Sequence, residues 1–267
     1  LVEKTELEAI TDFVNSVDFK NSKPVLHHSF ETVTKKESSQ IIDNRKATVQ
    51  RNTDSIQGVS GFARYFNHQD DVIRINDIGQ FESPNPFSVS AWVNLDDDTG
   101  KTKVIVGNAG NKNTNWRGWD FYLDSTNRVA VRLINCLPHN YIHVATKKSI
   151  QMNQWTHVLF TYDGSSSADG INIYVDGEES DVAVLYDELY KSILTIRRGF
   201  TRDSRGLVMG KSNRGGTGDN GVFKGSIDEF SIYDREVFSA QAKSIYEQSK
   251  KGQAPIIYDA SRVEYKS

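Results

Sequence analysis

The sequence is poor in the residues that staple or anchor small domains. Cys136 is its one cysteine, which excludes an intrachain disulfide framework and any multi-thiolate zinc or iron–sulfur site. Five prolines and two methionines are spread over 267 residues, and no low-complexity tract or internal repeat is present. No apolar run approaches the ~20 residues that a membrane-spanning helix needs. Charge of one sign is lacking too: 32 basic residues against 35 acidic ones leave a net charge of −3. Without a basic field to hold phosphate backbones, nucleic acid is excluded as a partner. The opening Leu-Val-Glu-Lys has neither the basic nor the apolar segment of a signal peptide, and we expect a monomeric fragment of a longer protein. Acid clusters of the kind used by glucanases, Glu-x-Asp-x-Glu on one strand, do not occur, nor does a Gly-x-Ser-x-Gly elbow.

What is present is alternation. Phe87, Val89, Ala91, Val93 and Leu95 alternate with polar residues and Trp92. The same period of two recurs in Val129, Val131 and Leu133, in Val158, Phe160 and Tyr162, and in Ile171, Ile173 and Val175. This pattern predicts strands with one face on a core. Gly, Asn and Asp clusters separate them, as in Asp96–Gly100, Asp163–Ser165, Asp176–Gly177 and Gly215–Gly218. Short strands without intervening helical patterns predict an all-β, two-sheet antiparallel sandwich. Helical patterns stand only at the flanks. Thr5-Glu6-Leu7-Glu8 fits a capping box that opens a helix over 5–18, and Ser239 is the expected N-cap of a second one ending near Ser249. We therefore divide the chain into a helical linker (1–24), one domain (25–249) and a trailing linker (250–267).

Several segments together resemble the laminin-G-like, concanavalin A-like jelly-roll superfamily. They are His28–Glu31, Gly61–Asn67, Phe87–Val93, Trp155–Val158, Thr161–Gly164, Ile173–Gly177 and Gly225–Arg235, in the family's order. A narrower likeness lies in Arg117–Leu123, Val131–Asn135 and Pro138–Asn140. It is similar to the laminin-G-like insert of large bacterial proteins of the planctomycete cytochrome type. That resemblance implies a parent protein outside the cytoplasm, with any haem domain elsewhere, since Cys-x-x-Cys-His is absent here.

For function, the stretch 113–143 gathers Trp116, Arg117, Tyr122, Asn135, His139, Asn140 and Tyr141. Flat aromatic faces stack on sugar C–H groups, while amides and guanidinium bond the hydroxyls, so we expect a non-catalytic, carbohydrate-directed binding module. Alternation places Trp119 with Phe121 and Leu123 on the core side and leaves Trp116 and Tyr122 to face solvent. Trp92 and Trp155 are read as packing residues, His157 as internally hydrogen-bonded, and Cys136 as a buried small hydrophobe. The alternatives are a structural insert docking on neighbouring domains of its parent and a divergent glycoside hydrolase. The basic residues Arg197, Arg198, Arg202, Arg205, Lys211 and Arg214 are a solvated loop, or contact an acidic polysaccharide.

The resemblance also implies one structural calcium between the first and last strands, held by Glu31 and Asp228. Period two puts Asp228 on the same side as Phe230 and Ile232, and a lone buried carboxylate there needs a partner. Its other options are a turn cap or a pair with Arg64.

Overall fold

The computed structural model describes residues 17–31, 37–38, 47–50, 53–68, 70–75, 78–96, 100–194, 206–212 and 221–265. Most of the expected helix over 5–18, and the basic loop apart from Lys211, lie outside them. The first strands are β1 (Val17–Ser22), β2 (Leu26–His28), β3 (Glu37–Ser38), β4 (Ala47–Gln50), β5 (Asp54–Gln57), β6 (Phe62–Phe66) and β7 (Val72–Ile75). The long central ones are β8 (Phe87–Leu95), β9 (Lys103–Gly107), β10 (Gly118–Leu123), β11 (Arg128–Cys136), β12 (Asn140–Ser149) and β13 (Trp155–Tyr162). Then follow β14 (Ile171–Val175), β15 (Glu178–Glu179), β16 (Val182–Asp187), β17 (Leu207–Met209), β18 (Gly225–Tyr233), the helix α1 (Ser239–Ser249) and β19 (Ile257–Tyr265).

All pairings are antiparallel, and the described strands other than β1 and β19 make two stacked sheets. One has the order β16-β12-β11-β10-β9-β17-β7-β4-β3; the other runs β15-β14-β13-β8-β18-β6-β5, with β2 beside β18. The expected all-β sandwich is thus the observed architecture. Alternation decides which residues meet between the layers. Phe87 and Phe160 from one sheet interlock with Trp119 and Phe121 from the other, with ring centroids 5.0–6.1 Å apart. Tilted and edge-to-face geometries of this kind add to the gain from burying the rings. Val89, Val93, Val131, Leu133, Val144, Val158, Ile173 and Ile227 complete the same core. Trp119 is fully buried, and its indole N–H donates to the carbonyl of Gly79 at 2.8 Å.

The outer face of the eight-stranded sheet is also covered. Leu159, Tyr174 and Tyr233 project outward and pack with Val237, Ala242, Ile245 and Ile257, so α1 lies across this face. Trp92 is buried there as a packing residue, donating to Ser249 Oγ at 2.9 Å and stacking on Tyr246. His157 is buried beside Trp92 and Tyr246. Contrary to expectation, neither of its ring nitrogens has a hydrogen-bond partner. Burial holds its pKa down at about 3, so it stays neutral. The N-cap of α1 is Phe238 rather than Ser239, with the Gln241 side chain accepting the Phe238 N–H at 2.9 Å.

Two stretches differ from the linker reading. Residues 17–18, assigned to the end of a helix, begin β1, and 257–265, read as an aperiodic tail, form β19. The two pair as a separate ribbon, Val17 opposite Tyr265 and Ser22 opposite Ile257. Local periodicity is a weak guide here because a two-stranded ribbon draws its stability from main-chain pairing.

Truncating Ile245, buried under α1, leaves a cavity between helix and sheet. Ile245→Ala is expected to cost about 2–5 kcal/mol in urea unfolding, whereas Lys243→Ala on the exposed side, which removes an ion pair to Glu178, leaves the midpoint in place.

Candidate functional site

The outer face of the nine-stranded sheet carries a row of polar and aromatic side chains assembled by register. Tyr186 on β16 is opposite His143 on β12. His143 is opposite Arg132 on β11, and Arg132 is opposite Asp120 on β10. Asp120 is opposite Gly107, Gly107 opposite Val208, and Val208 opposite Arg74. A Cβ at Gly107 would meet Asp120 Oδ1 at 2.7 Å, so this strand needs glycine for the carboxylate to lie flat across it.

Side-chain contacts tie the row together. Arg132 stacks over the ring of Tyr122, its guanidinium carbon 4.1 Å from the centroid, and approaches Asp120 at 4.0 Å. The Tyr122 hydroxyl is 2.6 Å from His143 Nε2. Tyr141 and Tyr186 are parallel, with centroids 4.1 Å apart. Both are half-buried, and so are Arg132 and His143. The surface therefore offers aromatic area, an imidazole and a guanidinium on adjacent strands, with the Asp120 carboxylate buried at 1% exposure beside Arg132.

Of the residues expected to bind ligand, Tyr141 stands in this array. Tyr122 also belongs to it, on the outer face as alternation requires, but it does not face solvent: it is 2% exposed, packed with Val104, Ala130 and Ala145 beneath Arg132. Arg117, Asn135, His139 and Asn140 gather at the adjoining end of the sheet. Arg117 Nε donates to the Asn135 carbonyl at 3.4 Å, and the buried Asn135 amide donates to the Ser192 carbonyl. His139 is exposed, and its carbonyl accepts the Tyr186 hydroxyl at 3.4 Å. Trp116 is half-buried on the loop that leads into β10. Cys136 is half-buried rather than fully inside. Arg132, His143, Tyr186 and Asp120 escaped the reading of 113–143 as a ligand cluster. Their alternation with core residues signals an outer face, but which of them align across strands depends on register, and that is set by pairing.

The acids expected at the calcium site lie around the turn 58–61, at the start of β6. Gly58 N–H bonds to the Gly61 carbonyl at 2.9 Å. A Cβ on Gly58 would strike the Asp228 carboxylate, and one on Gly61, whose φ is +61°, would strike that of Glu31. Asp228 Oδ2 accepts the Val59 N–H and Oδ1 accepts the Glu229 N–H. Asp228 does not share a side with Phe230 and Ile232. A bulge after it, with Glu229 at φ +47°, places it opposite Trp92 on the outer face, while Ile227 opposes Val93 in the core. Nor is it paired with Arg64, whose Nη1 donates to the Thr53 carbonyl.

Glu229 is fully buried, and both of its carboxyl oxygens lack a hydrogen-bond partner. His27 Nε2 is 3.3 Å away but outside hydrogen-bonding geometry, and burial lowers the His27 pKa to about 4. Burial first, then the charges of Asp228 and Glu31, push Glu229 up to about 9. Asp228 rises to about 7, burial outweighing its main-chain amide donors.

The family model for the concanavalin A-like lectin/glucanases superfamily matches residues 67–243. The chain belongs to this superfamily. The matched span includes both the outer-face row and β18. No curated protein sequence matches the chain. Among solved structures, this member of the superfamily is similar to the binding domain of Paraclostridial mosquitocidal protein 1, with a TM-score of 0.61 and 16% identity over 85% of this chain and 52% of that one. It resembles the binding domain of botulinum neurotoxin serotype G in the same way (TM-score 0.60, 16% identity, 84% and 50%). The superfamily chain therefore spans about half the length of these toxin binding domains. Domain 4 of an extracellular arabinanase from Geobacillus stearothermophilus, solved with arabinotriose, is matched over its whole length, with a TM-score of 0.53, 21% identity and 85% of this chain. At these identities the likeness establishes the fold.

The two raised carboxyls give a pH dependence with a defined sign. Folded-state values of about 7 and about 9 exceed those of the unfolded chain, so the neutral acids contribute stability in full below pH ~4 and lose it as the pH rises through both values. Above pH ~7.5 histidines are about nine-tenths or more neutral in the unfolded chain and neutral in the folded one, so His27 and His157 add little to the slope. In chelator, the urea midpoint should fall between pH ~7.5 and ~9.5, and that of Glu229→Gln should fall less; equal slopes would place the titration elsewhere.

Proposed function

We propose that the chain is a non-catalytic binding module whose ligand is carbohydrate, engaged by the outer face of the nine-stranded sheet. The observation that carries this reading is the continuous array Tyr141–Tyr186–His143–Arg132–Tyr122–Asp120. Stacked tyrosines present flat apolar area for sugar C–H groups, and the half-buried imidazole and guanidinium beside them match ring hydroxyls, with the buried Asp120 next to Arg132. The superfamily likeness to a domain solved with arabinotriose agrees with it. A hydrolytic reading finds less support, because glycosidases need two carboxylates across the scissile bond. In this register row Asp120 has Arg132, not a second acid, as its neighbour. The resemblance to inserts of large exported proteins supports a location outside the cytoplasm as part of this proposal. Among the described residues no helix is long and apolar enough to cross a membrane.

A structural role as an insert in a longer parent is the second reading, and the β1–β19 ribbon favours it. Antiparallel pairing of 17–22 with 257–265 brings the two arms of the chain side by side. A host domain accommodates such an insert without parting its own strands.

We infer also that a calcium ion relieves the acids around the turn 58–61. The charge of Glu31 raises the pKa of both Asp228 and Glu229, behind burial as the main cause, and the histidine beside them is neutral. Among the described residues no group of three or more His, Cys, Asp or Glu side chains is arranged to hold a metal. Glu31 and Asp228 would therefore share the ion with backbone carbonyls, the hard-oxygen set calcium accepts.

Two measurements test these readings. On a glycan array, Tyr186→Ala and Arg132→Ala should each weaken binding at least about tenfold with the fold intact, the loss typical of an anchor residue. Wild type binding no glycan at millimolar ligand would leave the insert reading in its place. Calcium should raise Tm, by more at pH 8 than at pH 6, because the ion competes with the protons on the raised carboxyls. An identical Tm in calcium and in excess chelator would remove the metal.

A further inference from the structure

Where the 111–117 loop meets the start of β12, the structure leaves polar groups without partners beneath a strained backbone. The loop begins with a 3₁₀ turn, Lys112–Thr114, capped by the Asn111 side chain accepting the Asn113 N–H at 2.9 Å. It then enters β10 through Asn115 and Trp116, both left-handed at φ +56° and +57°. Asparagine tolerates that region; a bulky aromatic does not, and such outliers gather at sites that clamp or release ligands. The Trp116 indole nitrogen is buried and has no acceptor. Facing this loop is the turn 137–139, joined to it by the Leu137 N–H donating to the Asn115 carbonyl at 3.4 Å. Cys136, at one end of that turn, opposes Asn140 at the other. Asn140 is 3% exposed, and neither its amide nitrogen nor its amide oxygen has a partner. A buried amide left in that state destabilises a fold that an apolar side chain of the same size would not.

We propose that the Trp116 loop is a lid over a subsite for a neutral sugar built on Asn140. The inference rests on the carbohydrate reading and names the class of sugar. A ligand on Asn140 has to serve one donor, the amide NH2, and one acceptor, the amide oxygen, and opening of the loop would add the indole N–H as a second donor. A carboxylate accepts only, so an anionic sugar group would leave Asn140 Oδ1 unmet. Vicinal hydroxyls both donate and accept, and they match the planar amide. The charged neighbour, Arg117, is turned to the Asn135 carbonyl. Asn140 leaves β12 on the side away from Tyr141, so the subsite stands at the end of the sheet rather than on the outer-face row.

The experiment compares wild type, Asn140→Leu and Trp116→Phe, measuring Tm and calorimetric binding of arabinotriose, xylotriose, cellotriose and trigalacturonate. Wild type is expected to bind at least one neutral trisaccharide in preference to trigalacturonate. Asn140→Leu should lose at least tenfold in that affinity while its Tm stays level or rises, because an unserved amide has been replaced by an apolar group. Trp116→Phe, which keeps a ring and removes the N–H, should lose severalfold with Tm unchanged. A lower Tm for Asn140→Leu would make the amide structural and overturn the subsite. Equal affinity for the neutral trisaccharides in all three proteins would overturn it as well, leaving the carbohydrate reading in place. Preference for trigalacturonate would overturn the neutral class, and no binding of any probe by wild type would end both readings.

Discussion

Phe87, Trp119, Phe121 and Phe160 hold the two sheets face to face, and the rest of the molecule depends on that aromatic contact. Once these four rings lie inside, the period of two leaves no freedom to their strands. Tyr122 must leave β10 on the side away from Trp119 and Phe121, and Arg132 must leave β11 on the side away from Val131 and Leu133. Interlocking therefore does more than bury area. It selects the side chains that form the outer surfaces, and it fixes the height at which they sit.

The two outer faces then take opposite courses. That of the eight-stranded sheet carries Leu159, Tyr174 and Tyr233, and α1 closes over it. The face of the nine-stranded sheet carries His143, Arg132 and Asp120 with tyrosines between them. Hydrophobic burial drives the first arrangement, and cation–π and hydrogen-bond geometry order the second. A sandwich with one sealed face and one polar face has a natural place for a ligand, and the difference follows from which residue types alternate with the core.

Much of the fold is legible in the sequence because it follows from that alternation. Trp119 as a core residue, Trp92 as packing and the strand at Val129–Leu133 all come from local pattern. The candidate site is only partly legible, for three physical reasons. Cross-strand neighbours depend on register, so the alignment of Tyr186, His143, Arg132 and Asp120 has no signature within any one strand. A single bulged residue also inverts a face: Glu229 in the left-handed region moves Asp228 from the side of Phe230 to the side of Trp92. Nothing in Ile227-Asp228-Glu229-Phe230 marks the bulge, since the residue that adopts positive φ is glutamate rather than glycine. Tyr122 illustrates a third gap. Its side of the sheet is as alternation requires, but the covering of that side by Arg132 belongs to the neighbouring strand.

Buried polar groups without partners offer a way to sort structural features from functional ones. His157, Glu229 and Asn140 are all such groups, yet their backbone surroundings differ. His157 lies in a regular stretch of β13, packed between Trp92 and Tyr246, and remaining neutral is enough to accommodate it. Glu229 occupies a left-handed bulge, and Asn140 follows the turn 137–139, whose Leu137 N–H donates to the carbonyl of left-handed Asn115 next to Trp116. In both places a strained backbone lies close to an unmet polar group in the interior. Glycine at the strained position or an apolar residue at the buried one would relieve either cost for folding alone. An external partner is the other way to meet such a cost, and the cation proposed beside Glu229 and the hydroxyl groups proposed beside Asn140 are partners of that kind.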